Sequence, residues 1–430
     1  MSGRESTWAR GLARLRHSLA RAALVAVALN AGPASARTIV VSPGPGALSA
    51  AVRAAAPGDT IVVTAGVYAE PTIVIDRTLT LLGRPGAILD GARSGGILRV
   101  TANDVVIRGL VLRNVPESYT EDRAAIRVES AHGCTIASNR LEHTIFGIYL
   151  AGATDCVVSG NEIRGAAREE TSSGNGIHLW HAARITIVGN RIGGHRDGIY
   201  FEFVRGSLVE GNVSEGNLRY GLHFMFSDSC RYLGNVFAHN GAGVAVMYTR
   251  HVEMRGNRFA DNWGAAAYGL LLKDISDSRI THNVFSRNTV GLRAESSNRL
   301  EVRENDFVEN GWAVKLLADC DADDFTRNNF EGNSFDVATN SRETTTSRFD
   351  GNHWDGYRGY DLDRDGFGDA PYHPVRFFAA VVEANEATLA LMRSPFVAVL
   401  DAAERLLPSL TPAGLADHHP ALRPIDWRRA

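Results

Sequence analysis

Residues 186–212, TIVGNRIGGHRDGIYFEFVRGSLVEGN, contain one complete unit of an internal repeat. The unit opens on a short segment that alternates with a period of two, reaches Asn190, and closes at the equivalent Asn212. The same context recurs along the chain at Asn139, Asn161, Asn190, Asn212, Asn235, Asn257, Asn283, Asn305, Asn328 and Asn352. The spacings are 22, 29, 22, 23, 22, 26, 22, 23 and 24 residues. A period near 22 made of strand-like units predicts a solenoid.

The segments between these Asn residues look like strands joined by tight corners. About eight residues after most of them, a Gly opens a second apolar segment, as at Gly147, Gly198, Gly221 and Gly243. Leucine-rich repeats have a similar length, but they would show Leu at several fixed positions and lack this Asn-to-Gly spacing. Asn tolerates the left-handed conformation that a corner requires, and stacked Asn side chains can hydrogen-bond along a ladder. We therefore predict an all-β fold, a right-handed parallel β-helix with about 22 residues per coil.

The N-terminus has the pattern of an export signal. Residues 1–36 contain several Arg, then an apolar run, and end at Ala34-Ser35-Ala36. The apolar run is shorter than the roughly 20 residues that a membrane-spanning helix needs. The pattern predicts a secretory signal peptide, so the chain is expected to be exported and cleaved after Ala36.

The rest of the chain divides by composition into three parts. Residues 37–355 are predicted to form the β-helix, with a short helix at residues 48–56 covering its open end. Residues 356–374 form an acidic segment, and residues 375–430 are predicted to form amphipathic helices and a tail. The formal net charge of −3 gives no reason to expect a nucleic-acid partner.

The register of the repeat predicts which side chains leave the coil. The residue after each small residue that opens a second strand is apolar and should point inward, and the next residue along the strand should then point outward. The inward residues are Ile148, Ile177, Ile199, Leu222, Val244, Leu270, Leu292 and Val314. One outward column then holds Tyr149, His178, Tyr200 and His223. The next outward column holds Trp180, Glu202, Met225, Met247 and Lys273.

Soft metal ligands meet in these two columns. Consecutive coils lie about 4.8 Å apart, so Met225 and Met247 are expected to be neighbours, with His223 beside Met225 and His178 two coils away. Thioether and imidazole together suit Cu(I). We predict a transient copper site formed by His223, Met225 and Met247, with His178 as a further candidate ligand. The alternative is an apolar strip covered by a loop or a partner, because Met is common at adaptable interfaces.

The cysteines and the remaining Met are expected to be structural. Cys134, Cys156 and Cys230 each lie five residues before a corner Asn and share a column with apolar residues, so they are predicted to be buried. Cys134 and Cys156 lie on adjacent coils. Two thiols and a disulfide both remain open for this pair, with thiols favoured. Met254 shares a column with apolar residues and is predicted to be core.

A second candidate metal site follows the last coil. Residues 360–369, YDLDRDGFGD, alternate carboxylates before a Gly, which predicts an oxygen-lined loop for Ca²⁺ or Mg²⁺. The expected ligands are Asp361, Asp363, Asp365 and Asp369. The loop departs from an EF-hand because Tyr372 stands where the twelfth-position Glu would be. A solvated acidic turn is the alternative.

Beyond this loop the sequence favours helices at residues 377–392 and 396–407, divided at Ser394-Pro395. Both are strongly apolar, yet neither can span a membrane. They could cap the solenoid or dock onto a membrane-embedded partner.

Five segments carry a resemblance to a known family: residues 219–227 (RYGLHFMFS), 241–248 (GAGVAVMY), 257–264 (NRFADNWG), 354–372 and 392–396 (MRSPF). Through them the chain resembles the NosD family, periplasmic components of the apparatus that matures nitrous oxide reductase. The resemblance implies a non-catalytic accessory protein mounted on an ABC permease at the inner membrane, with its ATPase on a separate subunit. It also implies that copper arrives from a lipoprotein chaperone and is used to load nitrous oxide reductase. It does not assign copper ligands.

The competing hypothesis is a secreted enzyme. Many right-handed β-helices are lyases or epimerases of acidic polysaccharides and use clustered Asp, Arg or Lys on an outward sheet. Here the outward columns carry aromatic residues, His and Met, and the acids Glu202 and Glu295 are too many coils apart to act together. A non-enzymatic role is therefore favoured.

Overall fold

The computed structural model describes residues 36–92, 95–118, 120–317, 319–340, 346–392, 394–406 and 415–428. Residues 1–35 of the predicted signal peptide lie outside the described residues. The chain winds into a parallel β-solenoid of about 13 turns with about 23 residues per turn, which confirms the predicted fold. Each turn contributes up to three short strands, and the strands pair in parallel with their equivalents in the neighbouring turns.

We name the three faces of the solenoid A, B and C. The strands of face A are Ile73–Ile75, Leu98–Val100, Ala124–Glu129, Phe146–Ala151, Asn175–Trp180, Asp197–Glu202, Tyr220–Met225, Ala242–Arg250, Tyr268–Thr281, Val290–Glu295, Trp312–Leu316 and Phe335–Ala338. The strands of face B are Thr38–Val41, Thr60–Val63, Thr80–Gly83, Val106–Arg108, Thr135–Ala137, Val157–Ser159, Thr186–Val188, Leu208–Glu210, Arg231–Leu233, Glu253–Arg255, Asn298–Arg303, Asp324–Thr326 and Arg348–Asp350. The long strand Tyr268–Thr281 continues from face A into face B.

Face C is a separate sheet of 13 strands. Its strands are Gly66–Tyr68, Ala87–Asp90, Val111–Val115, Arg140–Thr144, Glu162–Arg164, Arg191–Gly193, Val213–Glu215, Val236–Ala238, Arg258–Ala260, Val284–Ser286, Asp306–Val308, Asn329–Glu331 and His353–Trp354.

The predicted register of face A is confirmed. Ile148 pairs with Ile177, which pairs with Ile199, and the series continues through Leu222 to Val244. All eight apolar residues assigned to the interior are fully buried. Their outward neighbours therefore lie on the outer surface of the sheet, as the period of two requires.

The repeating Asn residues form a continuous buried ladder at the corner between faces B and C. Asn257 Oδ1, for example, accepts hydrogen bonds from the backbone N–H and from Nδ2 of Asn235, at 2.9 and 3.0 Å. Asn235 Nδ2 also donates to Val209 O at 2.9 Å. The ladder was predicted, but the reason given for Asn was wrong in part. The left-handed conformation belongs to the residue before each Asn, such as Gly234 or Ser138, and the Asn is selected for its side-chain hydrogen bonds.

A second Asn ladder lies at the corner between faces C and A, five residues after the first, and was not predicted. Its members are Asn217, Asn240, Asn262, Asn288, Asn310 and Asn333, joined by N–H to Oδ1 hydrogen bonds of 3.0 to 3.2 Å. Beside it, Phe rings on face C stack along the interior from Phe237 to Phe330 and end on Trp354, with centroid separations of 4.1 to 5.7 Å. Because each Asn of the second ladder follows an Asn of the first by five residues, the second ladder could have been predicted from the sequence.

The first coils are covered by helix α1, Ala47–Ala54. The sequence predicted it at residues 48–56. Leu48 and Val52, four residues apart on one helix face, are buried in the main core. Ala47 and Ala51 pack partly against the same core, whereas Ala50, Arg53 and Ala54 are exposed.

The C-terminal helices differ from the prediction. Helix α2 is Phe377–Ala384, a 3₁₀ segment follows at Glu386–Leu391, and helix α3 is Pro395–Leu406. The helix predicted for residues 377–392 is broken because Asn385 is extended and its Oδ1 accepts a hydrogen bond from Ala387 N. Within the described part of the chain, no helix has the length and apolar character needed to cross a membrane.

Helix α2 covers the outer surface of face A in the last coils. Phe378 and Val382 pack in one buried cluster with Val290, Trp312 and Phe335 of the sheet. An ion pair of 2.7 Å between Lys315 Nζ and Glu383 Oε2 fixes the helix at the same place. The apolar face of α2 is therefore occupied within the chain, whereas Phe396 and Val399 of α3 are 55% and 65% exposed.

Candidate metal centre

The predicted soft ligands lie on the outer surface of face A, where pairing brings the two Met together. Met225 pairs with Met247, and His223 is two residues before Met225 on the same strand. Glu202 precedes Met225 in the column and Lys273 follows Met247. Both Met residues are half-buried, so the pair lies at the outer surface of the sheet and is partly open to solvent.

His223 is more enclosed than an outward position on a sheet suggests. It is 4% exposed and neither ring nitrogen has a hydrogen-bond partner among the described residues. The rings of Tyr200 and Tyr220 flank it, with centroids 5.1 and 4.7 Å away. Its Nδ1 lies 3.8 Å from Asp197 Oδ2, too far for a hydrogen bond. A buried imidazole with both nitrogens unpaired is unusual and fits a ligand position.

His178 is not brought to this group. The Tyr200 ring lies between the two imidazoles, 4.7 Å from His178 and 5.1 Å from His223, whereas one ion needs bonds of about 2 Å to each nitrogen. His178 Nδ1 is instead 2.9 Å from Asn175 Nδ2, and its ring stacks on Tyr149 at 4.2 Å. Burial, together with the charges of Arg196 and Arg127, lowers the pKa of His178 to about 3, so its imidazole is neutral.

An apolar cluster supports the Met pair from the side of the later coils. Tyr220, Ala242, Ala245 and Leu271 are buried together on the outer surface, with Met247 and Tyr268 packed against them. Tyr268 also packs against the cluster under helix α2. The backbone around Met247 is therefore held by packing and does not depend on metal.

Beside the Met pair runs an exposed aromatic strip that sequence reasoning missed. It consists of His181, Phe203, Phe226 and Tyr248, whose rings stack from coil to coil at 4.7 to 5.3 Å. All four have positive φ, near 50°. The same left-handed conformation occurs at the equivalent position of other coils, as at Ser130, Asp274 and Ser296, so it belongs to the corner of the coil and does not single out the aromatic residues. The four residues are spaced 22, 23 and 22 apart and each directly follows a member of the outward column Trp180, Glu202, Met225 and Met247, so the repeat itself was a signal that could have found them.

The acidic loop after the last coil brings three of its four predicted ligands together. Carboxylate oxygens of Asp361, Asp363 and Asp365 lie within 4.8 Å of one another. The loop is shaped by hydrogen bonds from Arg364 N and Gly366 N to Asp361, at 2.6 and 3.0 Å. Asp369 is outside the group, since its Oδ2 accepts a hydrogen bond from Leu362 N.

Crowding of carboxylates raises the pKa of Asp363. The hydrogen bond from Asp365 N lowers this pKa, but the negative charge of Asp365 and the other neighbouring acids outweigh it. A bound cation would relieve this repulsion. The prediction of a hard-cation loop therefore remains, with three carboxylates as its centre.

The structural roles assigned to the sulfur-containing core residues are confirmed. All four Cys lie in the described residues, are buried and are free thiols. A contact between Cys134 and Cys156 lowers the pKa of Cys134 and raises that of Cys156. Met254 is 1% exposed.

The fold and these side chains define a class of protein: a parallel β-solenoid with two adjacent Met and a buried His on one outer sheet face. Residues 164–359 match the family described as periplasmic copper-binding protein (NosD). The chain is 32% identical over 379 residues to the probable ABC transporter binding protein NosD of Pseudomonas aeruginosa, covering 84% of this chain and 87% of that protein. It is 30% identical over 378 residues to the protein of the same name from Stutzerimonas stutzeri, covering 84% and 86%. The chain belongs to the NosD family.

Among solved structures, the chain is similar to the Dettilon tailspike protein, with a TM-score of 0.56 and 14% identity over 72% of this chain and 70% of that one. At this identity the likeness shows the fold alone.

Proposed function

We propose that this protein is a periplasmic accessory protein of an ABC transporter complex that passes Cu(I) to nitrous oxide reductase during maturation of its copper sites. The family and the names of its relatives support copper binding and an ABC transporter partner. The particular partners are an ABC permease with a separate ATPase subunit, a copper chaperone lipoprotein as donor, and nitrous oxide reductase as acceptor. The protein is held at the inner membrane through the permease.

The single observation that carries the proposal is the adjacency of Met225 and Met247 next to His223, whose two ring nitrogens are unpaired. Two thioethers and one imidazole form a ligand set that favours Cu(I) over hard cations. Three ligands at a site that borders on solvent would bind the ion weakly enough to release it. The exposed aromatic strip beside the site is a surface of the kind that contacts partners.

The test replaces both Met225 and Met247 with Leu, which keeps apolar bulk and removes the sulfur atoms. We expect the purified double variant to lose Cu(I) affinity at least about 100-fold in competition with a chromophoric Cu(I) chelator, since most of the ligand set is gone. In cells, the copper content of nitrous oxide reductase should fall. Met254→Leu, which removes a buried thioether from the core, is the matched control and should bind Cu(I) like the wild type.

An interface-only role predicts the opposite outcome. If the Met225→Leu, Met247→Leu variant binds Cu(I) as the wild type does and the reductase is fully loaded, the two Met only pack against a partner.

A further inference from the structure

The carboxylate of Asp197 lies beside His223 and is fully buried. Its Oδ1 accepts a hydrogen bond of 3.2 Å from Tyr220 N, and its Oδ2 lies 3.3 Å from Arg196 Nε and 3.8 Å from His223 Nδ1. A carboxylate buried completely is costly unless charged or hydrogen-bonding partners compensate it. Its presence at this position therefore needs a reason.

The hydrogen bond that Asp197 accepts from Tyr220 N does not require a charged side chain at this position. Asn175 occupies the equivalent position in the preceding coil, where it pairs in register with Asp197. An amide oxygen could accept the Tyr220 N–H bond equally well. The amide of Asn175 contacts Nδ1 of His178, whereas the imidazole of His223 faces a carboxylate at its Nδ1. The two histidines are thus held by different chemistry.

The two ring nitrogens of His223 differ in their surroundings: Asp197 lies near Nδ1, and Nε2 has no hydrogen-bond partner among the described residues. Nδ1 faces Asp197, and aromatic rings of Tyr200 and Tyr220 flank the imidazole. A carboxylate near Nδ1 favours the tautomer with the proton on Nδ1, which leaves the lone pair on Nε2. Histidines that bind metals commonly direct their other N–H at a carboxylate. Here the 3.8 Å between Nδ1 and Asp197 Oδ2 exceeds a hydrogen bond, so Asp197 acts on the metal-free ring through its charge.

We propose that Asp197 is a positioning residue for the copper site: it holds His223 as the Nδ1–H tautomer so that Nε2 binds Cu(I). The inference rests on the proposed function of His223, Met225 and Met247. Binding of Cu(I) makes the imidazole more positive, and the carboxylate of Asp197 stabilises that charge because both side chains are buried, although the Met side of the site borders on solvent.

The direct test is Asp197→Asn, which keeps the shape and the acceptor for Tyr220 N–H. We expect a 10- to 100-fold loss of Cu(I) affinity, the range typical for removal of an outer partner of a ligand His. The control is Glu210→Gln, which removes an exposed carboxylate on face B of the same coil and should leave the affinity within about twofold, because an exposed charge is screened. An equal loss in both variants would mean a general charge effect and would overturn the inference.

A double-variant cycle separates positioning from any other role. If Asp197 acts through His223, Asp197→Asn should cause no further loss in a His223→Ala background. An undiminished loss in that background would overturn the inference while leaving the proposed function intact. Failure of the wild-type protein to bind Cu(I) would overturn the proposed function itself, before any variant is compared.

A measurement on the wild type makes the result independent of how the variants fold. In protein labelled with ¹⁵N at histidine, the metal-free His223 ring should show the chemical shifts of the Nδ1–H tautomer. The Nε2–H tautomer would overturn the inference.

Discussion

Asp417 lies directly below Asn352 and takes the place of one more asparagine at the end of the first ladder. Its Oδ2 accepts hydrogen bonds from the backbone N–H and from Nδ2 of Asn352, at 2.9 and 3.0 Å. The same oxygen accepts a bond from Trp354 Nε1, and Oδ1 accepts one from Gly351 N. A residue 65 positions away therefore satisfies the polar groups that the last coil would otherwise leave unpaired.

Replacing Asp417 with Ala should open the last coil. Several buried N–H groups would lose their acceptor, at a cost of about 1–3 kcal/mol for each group. Hydrogen exchange of the amides of Gly351 and Asn352 should accelerate by at least about 100-fold, since this corresponds to about 2.7 kcal/mol. Glu169→Ala, at an exposed acid far from this end, is the control. Unchanged exchange would mean that the tail does not support the coil.

Burial raises the pKa of Asp336 to about 7, although Arg376 and the hydroxyl of Tyr372 oppose the shift. The folded protein keeps a proton on Asp336 that the unfolded chain loses above its ordinary pKa of 3.8, so stability should fall from about pH 4 to pH 7 and level off above. Asp336→Asn should remove the contribution of Asp336 to this fall in stability with pH. The variant should be more stable than the wild type at pH 8, by up to about 4 kcal/mol.

Urea unfolding at pH 4, 6 and 8 checks this difference. Burial also raises the pKa of Asp323 to about 7, so two carboxyl groups contribute to the pH dependence of wild-type stability. Only the difference in stability between the wild type and Asp336→Asn therefore reports on Asp336. Equal midpoints of the two proteins at pH 8 would contradict the prediction.

The acidic loop should bind Ca²⁺ through Asp361, Asp363 and Asp365. An ion that binds only the folded state raises the melting temperature in proportion to its occupancy. We expect Ca²⁺ to raise the melting temperature of the wild type and to have no effect on Asp363→Ala. Asp76→Ala, which removes an exposed acid at the opposite end of the solenoid, should respond like the wild type. Mg²⁺ is the second ion to test, and no response to either would mean a solvated turn.

Exposed residues of helix α3 are the expected contact with the permease. Truncation of the C-terminal segment would not isolate this role, because it would also uncover Trp312 and Phe335 and remove Asp417. The double variant Phe396→Ser, Val399→Ser avoids this problem, since both side chains are more than half exposed. It should melt like the wild type but fail to co-purify with the permease.

The matched control carries Val40→Ser and Val74→Ser, two exposed apolar residues of the first coils. It should co-purify normally. Retention of the permease by the α3 variant would remove that helix from the interface.

The aromatic strip should be dispensable for folding. Replacing Phe226 with Asn relieves a left-handed conformation that costs a bulky residue about 1 kcal/mol or more and removes two ring stacks worth about 1 kcal/mol each. The free energy of unfolding should therefore change by no more than about 1 kcal/mol. A loss above about 3 kcal/mol would mean that the strip is structural.

The sequence alone determined the solenoid, its period and the register of face A, because each depends on patterns that repeat from one coil to the next. A period of two decides inside from outside, and the spacing of the ladder Asn residues decides which residues are neighbours on successive coils. The adjacency of Met225 and Met247 followed from these two rules alone. The offset of the second Asn ladder was present in the same pattern and could have been read.

Only the tertiary structure decided what covers each outward side chain, because these contacts join segments that share no repeat. His223 is enclosed by Asp197, Tyr200 and Tyr220. The outward column contains both His178 and His223, but only the structure shows that the Tyr200 ring separates the two imidazoles. The packing of α2 on Trp312 and the bond between Asp417 and Asn352 link residues far apart in sequence. Such contacts depend on the path of a non-repeating segment, and that path is set by the complementarity of buried surfaces and not by local propensity.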